Sequence, residues 1–426
     1  MFRGACIGYT LGMRLVVVFV AACAVWLSTS PTQANAAAGV RFGIQDDAWL
    51  EHGPGTLSSR VATLDRLGLD VVRVTLEWNR IEPRPGAYRW QRPDRLLRAL
   101  RARGLAPVVT LWGTPGWANG GAGPNVAPVD RLDFERFAQQ AALRYRFVRH
   151  WVVWNEPNKA PWLRPASPRT YVSQILNPGY RGIKAVSPRA LVAGGVTAPR
   201  GGQGGMSPVD FIRGMDRAGA RLDAYAHHPY PVYPGDTPFL GGCKCTTITM
   251  ATLERLLGLV GRAFPRARVW LTEYGYQTNP PDHFGVSRAD QARYVGESAR
   301  RVYAAPKVDM LIHYLYRDEP SLDRWQSGLE TIAGKAKPSL AATMLPLAQV
   351  KRRGSRTTLW GQVRPGDGRQ RYALQAFVRG RWVSLGGTRT TAAHGYFSRV
   401  VTARKGTKLR IWYPARRLAS PTLVVR

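Results

Sequence analysis

From residue 40 onward, short apolar runs rich in β-branched residues alternate with stretches whose apolar positions recur every three or four residues. The runs are Val40–Ile44, Val71–Glu77, Pro107–Trp112, His150–Trp154, Ala190–Gly194, Leu222–His227, Arg268–Thr272 and Met310–Leu315. Between them lie helical patterns such as Leu57–Leu67, Asp133–Tyr145, Met250–Ala263 and Ala289–Tyr303. Strands alternating with helices of this length imply βα units and a parallel sheet. Eight runs at a spacing of about 39 residues predict an eight-fold β/α (TIM) barrel. A doubly wound open sheet is the main rival, but no glycine-rich phosphate loop follows the first run.

After Leu347 the period changes. Residues 356–426 show short alternating runs, among them Arg371–Val378, Trp382–Leu385, Phe397–Val401 and Leu409–Tyr413. Turn signals separate them at Pro365-Gly366-Asp367-Gly368, Gly386-Gly387 and Lys405-Gly406. Such a pattern predicts a small antiparallel, immunoglobulin-like β-sandwich. The expected organisation is therefore a barrel over 37–348 and a sandwich over 349–426. The basic stretch Lys351-Arg352-Arg353-Gly354-Ser355 reads as a short join.

Residues 1–36 read differently. Arg3 and Arg14 precede the apolar run Leu15–Leu27, and Ala34-Asn35-Ala36 closes the segment. Thirteen apolar residues fall short of the roughly 20 that a spanning helix needs, so the expectation is a signal peptide, an exported protein and no transmembrane span. Val20-Ala21-Ala22-Cys23 resembles a lipobox, but the apolar run continues past Cys23 and the Ala-Asn-Ala site fits better. Cleavage there would leave Cys243 and Cys245, whose C-x-C spacing reads as a local disulfide ahead of a metal pair. No metal or cofactor is expected.

Barrels of this kind carry their chemistry at the C-terminal ends of the strands. The fourth run ends Trp154-Asn155-Glu156-Pro157, and the seventh Thr272-Glu273-Tyr274-Gly275. The chain has only ten Glu, and these two stand 117 residues apart, three units of about 39. A carboxylate at the end of an apolar strand among aromatic rings is costly unless paired or used. Two of them facing one mouth suit glycoside cleavage.

Here the sequence resembles a known group. Asn155-Glu156-Pro157, Glu273-Tyr274-Gly275 and His228-Pro229-Tyr230 look like the motifs of clan A retaining glycoside hydrolases. The run Arg73–Trp78 with Arg80-Ile81-Glu82-Pro83 is most similar to family 39 and its cellulase-like family 5 relatives. The resemblance implies that Glu156 is the acid/base and Glu273 the nucleophile. It also implies that Asn155 bonds the sugar 2-hydroxyl, that Tyr230 donates to Glu273 and that Arg73 lies beneath it. His228 is a weaker assignment, and His227 reads as structural.

Trp112, Trp117, Trp154 and Trp162 cluster in or after the third and fourth runs, where flat rings would suit sugar faces. Family members commonly carry a Trp at the end of strand eight. This chain reads His313-Tyr314-Leu315-Tyr316, which leaves Tyr316 as a stand-in platform. Asp46-Asp47 reads as a solvated strand end ahead of a cation site.

Charge adds a second theme. The chain carries 61 Lys+Arg against 27 Asp+Glu, and residues 349–426 hold 18 of those cations with Asp367 the one acid. Nucleic acid is not expected, since no motif for base readout is present. The expected partners are a carbohydrate substrate and an anionic wall polymer or acidic polysaccharide. Because 52 of the 61 cations are Arg, part of the excess reads as compositional bias. A wall-binding barrel without catalysis, and a transglycosylase using the same residues, are the alternatives to a secreted β-glycosidase.

Overall fold

The computed structural model describes residues 1, 39–202, 204–242 and 246–426. The signal segment, Cys23, Cys243 and Cys245 lie outside the described residues. Eight strands form the barrel: β1 (Arg41–Gln45), β2 (Val71–Glu77), β3 (Ala106–Trp112), β4 (His150–Val153), β5 (Leu191–Thr197), β6 (Ala224–His227), β7 (Arg268–Tyr274) and β8 (Val308–Tyr314). All pair in parallel in chain order, and β8 closes on β1 with Gln45 opposite Tyr314.

Strand alternation sorts the side chains. Val71, Val108, Val152, Ala224, Ala226, Trp270, Met310 and Ile312 fill the barrel interior. The intervening Val72, Val74, Val109, Leu111, Trp151 and Val153 face the helical layer. By the same parity Arg73, Thr110 and Thr272 point inward, above that apolar floor. A guanidinium therefore sits inside the barrel only because its partners are built around it.

At Leu347 the chain turns into antiparallel strands. These are β9 (Leu347–Arg353), β10 (Arg356–Gln362), β11 (Arg371–Val378), β12 (Arg381–Ser384), β13 (Arg389–Thr390), β14 (Tyr396–Thr402), β15 (Lys408–Tyr413), β16 (Leu418–Ala419) and β17 (Leu423–Val424). One sheet runs β14-β10-β9; the other runs β12-β11-β15-β16, with β13 on β11 and β17 on β15. Leu359, Phe397, Tyr372, Leu374, Leu409 and Ile411 pack between the sheets.

The expected basic join is corrected here. Residues 351–353 belong to β9, and Gly354, at φ +58°, makes the hairpin to β10. The 348/349 division thus falls inside a strand. Trp360 and Tyr396, on the opposite side of the first sheet, stack around Tyr303 of helix Arg288–Tyr303. A Cβ at Gly296 of that helix would meet the Leu347 carbonyl at 2.6 Å, so the contact is backbone-close. Arg364 lies 3.7 Å over the Phe42 ring and donates to the Thr343 carbonyl at 2.5 Å. Barrel and β region share one packed boundary.

Candidate active site

Two local irregularities present the glutamates. Between β7 and β8 the register slips: Leu271 pairs with Leu311, but Tyr274 pairs with His313, so β7 carries an extra residue. Such a bulge re-aims a side chain, and Glu273 sits within it. After β4, Trp154 and Glu156 adopt positive φ, +77° and +37°. Non-glycine residues hold such conformations at a cost, which surrounding contacts must offset. The Trp154 indole supplies one, donating to the Trp162 carbonyl at 2.8 Å.

Arg73 is the hub. It is 1% exposed and donates to Glu273 Oε1 at 2.5 Å, Gln45 Oε1 at 2.6 Å, Thr110 Oγ1 at 2.9 Å and Asn155 Oδ1 at 2.9 Å. It also reaches the Thr272 carbonyl at 3.2 Å. The second Glu273 oxygen accepts from the Tyr230 hydroxyl at 3.0 Å. Burial pushes the Glu273 carboxyl up, but His228, Arg73 and Tyr230 together outweigh it and hold the group below the usual carboxylate range. Asn155, its carbonyl oxygen turned to Arg73, keeps its amide nitrogen as a donor.

His228 bridges the pair. Its Nδ1 lies 2.9 Å from Glu156 Oε1 and 3.5 Å from Glu273 Oε2, and its Nε2 is 3.1 Å from Thr272 Oγ1. An ionised carboxylate only accepts, whereas a threonine hydroxyl can do either. The neutral tautomer that satisfies both ends has its proton on Nδ1, donated to Glu156, and accepts at Nε2 from Thr272. One polar atom from each of Glu156, His228 and Glu273 lies within 4.8 Å of the other two. That spacing would admit a metal ion. However, Arg73 and Tyr230 already engage both oxygens of Glu273, and a cation would sit beside a buried guanidinium.

His227 is separate. Fully buried, it contacts Thr197 Oγ1 at 2.8 Å and the Ile248 carbonyl at 3.1 Å, and burial lowers its pKa to about 3. It is a neutral strand residue.

The aromatic assignments divide. Trp112 and Trp117 are half-buried, Trp112 edge-on to Trp162 at 5.3 Å and Trp117 donating to the Glu82 carbonyl. Trp154 is a correction: it is fully buried and packs on Phe134 in the outer layer, so it offers no sugar a face. Tyr316 is another. It is 3% exposed, lies against Trp49 with centroids 4.1 Å apart and donates to Glu330 at 2.7 Å.

Instead Trp325 supplies the ring beside the glutamates. It is half-buried, with its ring 4.6 Å from Tyr230 and 5.8 Å from Tyr314, edge-on to the latter. The Glu319 carboxylate accepts its backbone N–H at 2.9 Å. Beneath this loop, buried Lys337 donates to Asp318 at 2.7 Å, Thr278 at 2.9 Å and the Gln326 carbonyl at 3.0 Å. A lone Trp after Asp323-Arg324, 11 positions past β8, was the available sequence signal.

Asp46 is neither a cation site nor solvated. Burial raises its carboxyl to about 6, and its oxygens accept from the backbone N–H groups of Trp49, Tyr316 and Arg317. It caps the helix after β1 and ties that end to β8. A cavity of about 690 Å³ opens at the other end of the barrel against the β region, among Arg41, Asp70, Arg103, Arg364 and His394. The paired glutamates are not among its lining residues.

Comparison with known proteins adds the fold's company. No family model matches the sequence, and no curated protein matches it. A family 39 glycoside hydrolase from the gut symbiont Bacteroides cellulosilyticus WH2 aligns over 87% of this chain and 82% of its own, at 17% identity and a TM-score of 0.61. The likeness is one of fold. The GH39 enzyme of Xanthomonas axonopodis pv. citri aligns over 89% and 95%, at 17% identity and 0.59. A glucosidase from Croceicoccus marinus aligns over 88% and 95%, at 12% identity and 0.58.

Proposed function

We propose that the protein is a secreted retaining β-glycosidase in which Glu273 is the nucleophile and Glu156 the acid/base. The observation that carries this reading is the spacing of the two carboxylates, whose oxygens approach within 4.8 Å at one barrel mouth. Retaining enzymes hold their carboxyl groups about 5–5.5 Å apart; inverting ones need about 6.5–9.5 Å to admit a water.

The environments divide the labour. Glu273, held ionised by Arg73 and Tyr230, attacks the anomeric carbon. Glu156 gives its proton to the leaving oxygen as that bond breaks, and a glycosyl ester forms on Glu273. Water then attacks the same carbon, losing a proton to Glu156, and Glu273 leaves. Asn155, oriented by Arg73, donates to the 2-hydroxyl. His228 keeps its Nδ1 donor on Glu156 and beside Glu273. Relatives in fold that are glycosidases and a glucosidase support the substrate class, and the N-terminal segment supports export.

The deciding measurement is the anomer formed first from a panel of aryl β-glycosides and polysaccharides, read by proton NMR before mutarotation. A β product first is expected. An α product first, or no turnover across the panel, overturns the reading.

Trp325 belongs to the same proposal as the sugar platform. Trp325→Ala is expected to lower kcat/KM about tenfold, mostly through KM, as for loss of one stacked ring. An unchanged kcat/KM would reduce Trp325 to a packing residue on Tyr230.

A further inference from the structure

The β region has one face that the fold leaves uncovered. In the first sheet, Trp360 and Tyr396 turn to the barrel while Leu359 and Phe397 turn to the second sheet. In the second sheet, Leu374, Ala376, Leu409 and Ile411 face inward. Alternation then sends Gln375, Phe377, Lys408, Arg410 and Trp412 to the outer side, with Trp382 opposite Phe377. This side is the one farthest from the barrel packing.

What it presents is a patch of rings and cations. Phe377 is 40% exposed and contacts Trp382 with centroids 5.2 Å apart. The Arg410 guanidinium lies 4.2 Å over Trp382 and 5.9 Å from Trp412, and its Nε donates to Gln375 at 2.8 Å. Lys408 is exposed, 5.7 Å from the Phe377 ring. Among the described residues no carboxylate pairs with these cations, and the one acidic side chain of residues 349–426, Asp367, lines the cavity at the barrel boundary.

We propose that this outer face of β12-β11-β15 binds a carboxylate-bearing polysaccharide. Exposed rings stack on the C–H faces of sugars, and positioned cations between them pair with carboxylates. Either feature alone is ordinary on a surface. Together, on one sheet face whose own strands carry no acid, they match a repeating chain that alternates an apolar ring face with an anion. The choice of a glycan over another polyanion rests on the glycosidase reading of the barrel. A second glycan site on the same chain raises the effective concentration of polymer at the mouth.

The test is titration calorimetry of the full-length protein with polygalacturonate and with alginate, alongside single-stranded DNA. Trp382→Ala, Arg410→Gln and the exposed charge reversal Lys408→Glu are each expected to weaken polymer binding about tenfold, equivalent to about 1.4 kcal/mol. The pair Arg404→Gln with Lys405→Gln, in the turn between β14 and β15, removes two charges off the face and is expected to change it less than about twofold. Melting curves confirm that the variants fold, and Lys408→Glu carries the test if the ring variants do not. The proposal is overturned by no binding of either polymer, by an equal loss in the turn variant, or by tighter binding of DNA. Turnover of a small aryl glycoside, too short to reach the sheet, stays unchanged in all of these variants. Its absence in the wild type would count against the barrel reading and not against measured polymer binding.

Discussion

Glu273→Ala is expected to lower turnover of an aryl β-glycoside by roughly 10⁴-fold or more, the scale seen when a group that acts covalently is removed. The cause is loss of the bond-forming atom, since Arg73, Tyr230 and His228 all converge on that carboxylate. Removing the side chain leaves a cavity on the face of attack. Added azide can enter it, attack the anomeric carbon and expel the aryl oxide, giving an inverted α-glycosyl azide. Glu156→Ala behaves differently. There the nucleophile remains, so azide replaces water in the second step and the product is a retained β-glycosyl azide. The two azide products assign the two glutamates independently of rate. Full activity in either variant, or the same azide stereochemistry from both, sinks the assignment. Because Glu273→Ala strips Arg73 of its counter-charge, Glu273→Gln serves as the isosteric control, with melting temperature recorded for each.

Much of this arrangement was legible in the sequence because its signals are local and periodic. Apolar runs at regular spacing gave the eight strands, with β2 matching end to end, since a barrel strand buries both of its faces and its run stops where burial stops. The position of Arg73 follows from parity alone. What was not legible depends on departures from parity or on distant loops. The β7 bulge, which turns Glu273 to the mouth, leaves no compositional mark. Trp154 was read as mouth-facing because it ends a strand, but the left-handed backbone there sends its ring outward. Tyr316 stands out in the sequence because it lies at the end of the eighth run, where the resemblance leads one to look for a ring; Trp325 lies 11 residues past β8 and meets Tyr230 only because the loop folds back in space. Asp46 likewise looked like a polar strand end until β8 closed on β1 and supplied three amide donors. Strand β9 was missed because its exposed half, Lys351-Arg352-Arg353, carries charges where an edge strand often carries them.

Arg73→Met is the second large effect, and it separates stability from chemistry. The substitution keeps most of the volume while removing every donor that Arg73 aims at Gln45, Thr110, Asn155, Thr272 and Glu273. Breaking a buried pair by deleting one partner costs about 3–5 kcal/mol, because the remaining charge stays desolvated. A fall in melting temperature of roughly 5–10 °C is expected at neutral pH. In the wild type Glu273 titrates below its ordinary value: burial pushes it up, and His228, Arg73 and Tyr230 push it down further. A carboxyl depressed on folding contributes stability above the unfolded value, about 4.3, and that contribution is lost as pH falls through the folded value. Without Arg73 burial is less opposed, so the folded value rises. The stability gap between wild type and variant should therefore narrow as the solution is acidified, since a protonated Glu273 no longer needs the guanidinium. The acidic limb of kcat/KM should move to higher pH in the variant, because the nucleophile must be ionised in the free enzyme. Arg73→Lys restores a charge but not the fork that reaches Glu273 and Asn155 at once, so it should recover the limb more fully than the rate. An acidic limb that stays in place in Arg73→Met would show that His228 and Tyr230 alone set the ionisation of Glu273.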